Sequence, residues 1–189
     1  MKGMHCSAGN VKLVPIVNTT VAATLLRLND GKATKRFAFF NDPVDLEREE
    51  KYLQSKIDST NDLLWTVYAD EKLIGTAGLH EIDFNLKTGR LGVLLWSEEF
   101  HGQGYGSDVV RALLAYLFDI LELQKAYLAV RTDNVRAQEL YRRLGFKDEC
   151  VLKGEYLLGE QRFDMLRMHM FKDGWSDNSS PSSQGLPCR

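Results

Sequence analysis

The spacing of apolar residues in the first third of the chain predicts one strand followed by two helices. β-branched residues favour a strand over residues 11–17, and apolar positions in residues 20–28 recur at helical spacing after a possible cap at Asn18. A second helix is predicted to begin at Asp42, where first-turn carboxylates complement the helix dipole, and to end before Asn61. Its predicted buried stripe comprises Leu46, Leu53 and Ile57.

The middle of the chain has the period of strands and then changes to the period of a helix. Residues 63–69 and 73–82 predict an antiparallel hairpin about a turn at residues 70–72, and a third strand from about residue 87 to 96 extends it. Apolar residues between positions 109 and 121 then recur at helical spacing. They predict the strongest helix of the chain.

The remaining pattern predicts a short strand over residues 125–131, a short helix over residues 137–144 and a final hairpin. Gly145 follows the helix as a C-cap, and two strands from Phe146 onward meet near Gly159. This order of elements predicts an α/β (α+β) fold, with a mixed, mostly antiparallel sheet of six or seven strands flanked by about four helices on both faces.

Composition indicates one domain and limits the classes of partner that we expect. With 189 residues, 44% of them hydrophobic and 26% charged, the chain can bury a sizeable core. We predict one domain over residues 8–172 and a loose tail rich in Ser, Gly and Pro over residues 173–189. A formal net charge of −2 provides no broad basic field, so neither nucleic acid nor a membrane is an expected partner.

Cysteine usage and apolar run lengths predict a reducing, cytoplasmic location. Cys6, Cys150 and Cys188 form no CxxC pair, so neither a zinc ribbon nor a disulfide framework is indicated. No apolar run approaches the roughly 20 residues that span a bilayer, and no signal peptide follows Met1.

The segment HGQGYGS, from His101 to Ser107, lies between a predicted strand and the strongest helix. Its glycines allow the backbone to approach a ligand while the unpaired N–H groups of the helix start point outward, which predicts an anion site. A tight glycine turn that only starts the helix is the alternative. A P-loop is excluded because no Lys-Ser or Lys-Thr pair follows, and a dinucleotide fold is excluded because antiparallel structure comes first.

A second segment, NVRAQELYRRLGF, begins at Asn134 and is more specific than the glycine loop. Asn134 and Tyr141 share one face of a two-turn helix, while Leu140 and Leu144 supply its buried side. Each residue also has a structural interpretation: Asn134 caps the helix, Tyr141 packs its ring, and Gly145 is the C-cap.

Together the two segments resemble the GNAT superfamily of acyl-CoA-dependent N-acyltransferases. The glycine loop matches the family signature [QR]-x-x-G-x-[GA] in every glycine, and the second segment matches N-x-x-A-x-x-L-Y-x-x-x-G-F at each named position. The chain is most similar to the branch of spermidine and ribosomal-protein N-terminal acetyltransferases. His101 replaces the usual Gln or Arg and lacks the fork of Arg, which predicts weaker or pH-dependent pyrophosphate binding.

The resemblance implies that acetyl-CoA is the co-substrate and that no metal is involved. The pantetheine arm would enter between the strand ending near Trp96 and the strand over residues 125–131, pairing with main-chain groups of Leu94, Leu95 and Trp96. Asn134 would contact the arm. The residues implied to hold the pyrophosphate are His101, Gly102, Gln103, Gly104, Tyr105, Gly106 and Ser107.

The implied reaction, direct attack of an amine on the thioester, needs a base and an acid. The pKa of an alkyl ammonium, near 10.4, lies roughly 3.4 units above pH 7. Forming the reactive neutral amine at pH 7 therefore costs about 4.6 kcal/mol. Tyr141, implied to lie near the sulfur, is the predicted general acid, and Glu81 is the predicted base. The other candidate bases are His80, Asp83, Glu98 and Glu99, and a solvated side chain is the alternative for each.

These observations predict an N-acetyltransferase for a primary amine: a polyamine, another small amine, or a peptide or protein N-terminus. Acidic residues of the second helix could attract such a cation, although a solvated helix face is the favoured interpretation. A CoA-binding sensor or regulatory module without turnover is the alternative from another class. Because many relatives self-associate, a homodimer is expected.

Overall fold

Eight strands form one mixed sheet in the computed structural model, which describes residues 3–24, 45–96 and 98–175. In chain order the strands are β1 (Cys6–Ala8), β2 (Val11–Pro15), β3 (Leu63–Ala69), β4 (Lys72–Asp83), β5 (Thr88–Leu95), β6 (Lys125–Arg131), β7 (Lys147–Leu158) and β8 (Gln161–Phe171). The helices bounded within the described ranges are α1 (Leu46–Asp58), α2 (Tyr105–Ala115) and α3 (Val135–Arg143).

The strands lie in the order β1-β2-β3-β4-β5-β6-β8-β7. Every neighbouring pair is antiparallel except β5 and β6, which are parallel. The predicted fold class is therefore confirmed, with eight strands where six or seven were expected. The additional strand is β1, whose three residues are too few to show an alternating pattern.

The first predicted strand is shorter than expected. β2 ends at Pro15 rather than residue 17, although the Ile16 amide still donates to the Leu64 carbonyl at 2.9 Å. Asn18 then accepts a hydrogen bond from the Thr20 amide and starts a 3₁₀ turn, which ends the extended backbone. Residues 22–24 are helical, and the rest of the predicted first helix lies outside the described residues.

α1 begins after Asp45, whose side chain caps the helix by accepting from the Arg48 amide at 2.8 Å. Leu53 is buried as predicted, with 1% of its surface exposed. Leu46 is 44% exposed, so its predicted burial is wrong: the first turn of α1 lies outside the packed layer. One turn further on, the same helix face buries Glu49, which is 5% exposed.

Two apolar clusters cover opposite faces of the sheet. Neighbouring residues of a strand point to opposite faces, and Trp65 of β3 packs in the large cluster that contains the apolar residues of α2. Leu64 packs instead with Leu53 of α1. Leu140 and Tyr141 of α3 pack against the large cluster. Helices therefore lie on both faces, as predicted; we name these faces the α2 face, which also carries α3, and the α1 face.

The packed structure extends beyond residues 8–172 at both ends. The Trp65 indole donates to the Met4 carbonyl at 2.8 Å, and the Met4 amide donates to the Tyr116 hydroxyl at 3.3 Å. At the other end, the ring of Trp175 packs 6.2 Å from that of Phe118. These contacts tie both ends of the described chain to the core.

Some predictions lie outside the described residues, namely the tail from residue 176 onward, with Cys188, and the beginning of the second helix at Asp42. Within the described residues, Cys6 and Cys150 are free thiols. That part of the chain contains no helix long and apolar enough to cross a membrane. It also has no group of three or more His, Cys, Asp or Glu side chains arranged to hold a metal ion.

Candidate functional site

The parallel strand pair opens along its length. β5 and β6 pair only where Thr88–Arg90 faces Lys125–Tyr127. Beyond Arg90, β5 continues along β4, and β6 continues along β8. The two strands diverge and leave an opening within the sheet, which we name the wedge. Its closed end lies at Arg90 and Tyr127, and the resemblance places the pantetheine arm in this opening.

The main chain of β5 turns alternately toward β4 and toward the wedge. The Trp96 amide donates to the Ile74 carbonyl of β4 at 3.1 Å, and the strand register turns Leu94 the same way. The expectation that these two residues pair their main chain with a ligand is therefore wrong. Val93 and Leu95 alternate with them and face the wedge, so Leu95 keeps the predicted position.

The glycine loop follows β5 and leads into α2. Gly102 and Gly104 have φ angles of +81° and +91°, which glycine adopts without strain. Gly104 is the N-cap of α2, and no side chain caps this end. The first helical hydrogen bond of this turn runs from the Asp108 amide to the Gly104 carbonyl at 3.1 Å. The three amides between these residues point out of the helix end and fit an anionic group.

Gly106 brings three elements of the site together. A Cβ atom at this position would lie 3.2 Å from Cδ1 of Leu140 in α3 and 4.0 Å from Cδ1 of Leu95 in β5. The absence of a side chain thus allows the first turn of α2 to contact both α3 and the end of β5. This contact aligns the helix amides with the wedge.

Two side chains of the glycine loop, those of Gln103 and Tyr105, already contact neighbouring residues. The Gln103 amide donates to the Glu99 carbonyl and so holds the loop to the preceding turn. Tyr105 packs its ring edge-on against Phe100, with 6.4 Å between the ring centroids. These two side chains are therefore less available to a ligand than the main chain of the loop.

Arg136 adds a cation that sequence reasoning missed. Its Nη2 lies 3.5 Å from the position a Cβ would take at Gly102, so the guanidinium is beside the glycine loop. Arg136 occupies an unspecified position of the motif that begins at Asn134, two residues further along the chain. The guanidinium can supply the charged fork that His101 lacks.

The start of α3 is fixed to the end of β6. Asn134 caps the helix by accepting from the Ala137 amide at 3.2 Å, which confirms the structural interpretation of this residue. Its side-chain nitrogen is the part that can still donate to a ligand. Gln138, in the first turn of the same helix, is buried and donates to the carbonyls of Arg131 and Thr132 at 3.1 and 2.9 Å.

Tyr141 lies on α3 and packs against the large apolar cluster. Its ring meets Phe146 edge-on, with 5.7 Å between the centroids, and Gly145 ends the helix with φ at +100°. Burial raises the pKa of Tyr141 to about 12. The hydroxyl consequently stays protonated at neutral pH, as a hydrogen-bond donor must.

Glu81 bridges the closed end of the wedge on the α1 face. Its carboxylate accepts from Arg90 Nε at 2.8 Å and from the Tyr127 hydroxyl at 2.7 Å. Burial opposes ionisation, but the hydrogen bonds from Tyr127 and Arg90 lower the pKa of Glu81 below its usual value. These contacts make the Glu81 carboxylate a weak base, and through them it joins β4 to β5 and β6. Its assignment as the catalytic base stays a prediction.

His80 and Asp62 form a second polar pair on the same face. His80 Nδ1 lies 2.9 Å from Asp62 Oδ1, and the two side chains are 12% and 13% exposed. Asp62 also accepts from Lys56 at 3.1 Å and from Ser59 at 2.8 Å. Burial lowers the pKa of His80 below its ordinary value, which keeps the imidazole neutral at pH 7, although the bond to Asp62 acts in the other direction.

Three other acidic residues that the sequence analysis considered differ in their contacts and burial. Asp83 accepts from the amides of Asn85 and Leu86 and so shapes a turn. On α1, Glu47 pairs with Lys51 as a solvated residue, in agreement with the favoured interpretation. Glu49 differs, because it is buried and burial raises its pKa.

Comparison with known proteins shows which family this chain matches. The model of the acetyltransferase (GNAT) domain family matches residues 10–147. The chain is 28% identical over 167 residues to the spermidine N(1)-acetyltransferase of Escherichia coli K12, covering 88% of each protein.

Solved structures share the same fold. The spermidine N-acetyltransferase from Vibrio cholerae in complex with CoA and spermine has a TM-score of 0.76 and 23% identity, covering 87% of this chain and 97% of that one. A ribosomal L7/L12 alpha-N-protein acetyltransferase in complex with coenzyme A has a TM-score of 0.77 and 19% identity, covering 88% and 97%. With the domain model matched over most of its length, this chain belongs to the GNAT acetyltransferase family.

Proposed function

We propose that this protein is an N-acetyltransferase that transfers the acetyl group of acetyl-CoA to a primary amine. One observation carries the proposal: β5 and β6 part beyond Arg90, and the uncapped start of α2 follows the open end of the resulting wedge. An extended ligand with a terminal phosphate group has the shape that this arrangement accepts. The acceptor belongs to the class of polyamines, other small amines, or peptide and protein N-termini.

The groups proposed to hold the co-substrate lie along one continuous path. The amides of the first turn of α2 and the guanidinium of Arg136 would bind the pyrophosphate. The main chain of Val93 and Leu95 would pair with the pantetheine arm as a neighbouring strand does. Asn134 would donate from its side-chain nitrogen.

Tyr141 is proposed to assist the departing sulfur. When bound, the co-substrate supplies an acyl group on a thiolate leaving group, and a thiolate is stabilised by a hydrogen-bond donor. With its pKa at about 12, Tyr141 remains protonated while the sulfur leaves. Its hydroxyl donates a hydrogen bond to the sulfur and keeps its proton, because a tyrosine phenolate is a stronger base than the departing thiolate.

The proposal is tested by measuring both binding and turnover on the full chain. Isothermal titration with CoA and acetyl-CoA should show binding, and a thiol-release assay across a panel of amines should identify an acceptor. The panel should contain spermidine, spermine, short monoamines and peptides with free N-termini. Absence of binding at millimolar ligand would contradict the fold's proposed use, and binding without turnover on any amine would favour the regulatory module. Cytoplasmic location and a homodimer stay predictions.

A further inference from the structure

The imidazole of His80 occupies a hollow formed by two glycines. A Cβ atom at Gly78 of β4 would lie 2.6 Å from His80 Nε2, and one at Gly92 of β5 would lie 3.0 Å from it. Because neither residue has a side chain, the ring can lie against the sheet and extend from β4 across to β5. Gly92 is two residues beyond Arg90, where the wedge opens.

Asp62 selects which nitrogen of the ring is a base. The carboxylate faces Nδ1, so Nδ1 carries the proton of the neutral ring and donates it to Asp62. Nε2 is then the atom with a free lone pair. No described residue donates a hydrogen bond to Nε2, which lies over the part of β5 that borders the wedge.

His80 lies beside the part of the wedge in which we expect the acyl group of the ligand. A ligand whose phosphates bind the glycine loop, beyond the end of β5, would extend along β5 toward the closed end, in the direction of Val93 and Gly92. Tyr141 approaches the sheet from the α2 face, whereas His80 lies on the α1 face. An acyl group in the wedge would thus have a donor on one side and a basic nitrogen on the other.

We propose that His80 is the general base of the acetyl transfer, with Asp62 as the residue that positions it. This inference rests on the proposed function. His80 Nε2 accepts a proton from the acceptor ammonium, directly or through one water, and the free amine attacks the acyl carbon. The C–N bond forms, the C–S bond breaks, the second N–H proton goes to the departing sulfur, and the imidazolium later releases its proton to solvent.

Several charged or titratable groups tune this imidazole. Lys56 on α1 and Arg90 on β5 oppose its protonation, as burial does, whereas Asp62 favours it. The other titratable side chains on this face are Glu49, Tyr52 and Glu81. Since the neutral ring is the active form, the rate should rise as the pH passes upward through the pKa of His80.

The decisive variant is His80→Gln, which keeps a side-chain amide able to donate to Asp62. If His80 is the base, kcat at pH 7 should fall about 10²- to 10⁴-fold, while CoA affinity and Tm stay close to the wild-type values. The loss should shrink as the pH approaches the pKa of the amine, because the substrate then loses its proton without help. A folded variant with wild-type kcat and pH profile would overturn the proposal.

Asp62→Asn provides a second measurement that does not depend on the first variant. Removing the carboxylate removes the group that raises the pKa of His80, so the acidic limb of the kcat/KM profile should move to lower pH and kcat should fall. Asp83→Asn is the matched control, because this carboxylate only shapes a local turn. An unmoved acidic limb in Asp62→Asn would contradict the role of Asp62 in positioning His80.

Failure of the proposed function is distinguishable from failure of this inference, since wild-type protein would then release no thiol with any amine.

Discussion

The two sides of the wedge are built on different principles. On the α2 face the ligand-facing groups are main-chain amides of the glycine loop and side chains of α3, and each set comes from one continuous segment of the sequence. On the α1 face the polar groups are side chains that come from α1, the loop before β3, β4, β5 and β6. The first side is a binding surface that local sequence can encode, whereas the second depends on how distant strands are aligned.

Among the variants that separate the two faces, Gly104→Val should have the largest effect, because it changes the main-chain groups of the glycine loop. A β-branched residue at φ +91° is strained, and its side chain would cover the helix amides. We expect CoA affinity to fall about 100-fold or more, measured by isothermal titration. Gly159→Val is the control, because Gly159 also has positive φ and an added Cβ would meet no atom within 4 Å, but it lies in the β7–β8 turn. Retained affinity in folded Gly104→Val would remove the glycine loop from the site.

Tyr141→Phe tests whether the α2 face also contributes to the chemistry. Loss of the hydroxyl should lower kcat about 10²-fold with little change in CoA affinity, since the donor is needed only as the sulfur leaves. Tyr68→Phe on β3 is the matched control. If kcat of Tyr141→Phe equals that of the control, Tyr141 has a packing role alone.

Arg136→Ala should have a smaller effect, because Arg136 supplements amides that remain in place. Loss of one charge-assisted contact should weaken CoA binding by about tenfold, with kcat at saturation unchanged. The difference from wild type should shrink at high salt. Arg143→Ala, at the exposed end of the same helix, is the control. Equal affinities of the two variants would place the pyrophosphate elsewhere.

The smallest effect is expected from Asp45→Ala, which perturbs only the α1 side. Removal of this N-cap should cost about 1 kcal/mol of unfolding free energy and lower Tm by a few degrees. CoA affinity should not change, because α1 lies on the other face. Glu50→Ala, an exposed residue of the same helix, should leave Tm unchanged. A loss of CoA affinity in Asp45→Ala would show that the two faces are coupled.

The sequence predicted most of the fold because its strands alternate clearly. The bounds of β3 and β6 match the prediction, and β4 and β5 differ from it by a residue at each end. The strongest helix follows its apolar spacing into a π turn, where the Leu121 amide donates to the Tyr116 carbonyl. Leu46 was misplaced because periodicity alone does not show where a helix leaves the packed layer.

The candidate site was predictable only where it is local in sequence. The glycine loop and the helix that begins at Asn134 are continuous segments, so their spacing carries the information. The His80–Asp62 pair depends on the end of α1, the loop before β3 and the reach of a ring over two glycines, and no short motif records such an arrangement. Arg136 was missed because its position in the motif accepts any residue.

The alternating main chain of β5 has a consequence for hydrogen exchange in the ligand-free protein. The amides of Leu94 and Trp96 are bonded to β4 and should exchange slowly, whereas those of Val93 and Leu95 face the wedge and should exchange with solvent much faster. CoA should slow Val93 and Leu95 selectively. Exchange along β5 would then report directly that the ligand completes the sheet as a temporary inner strand.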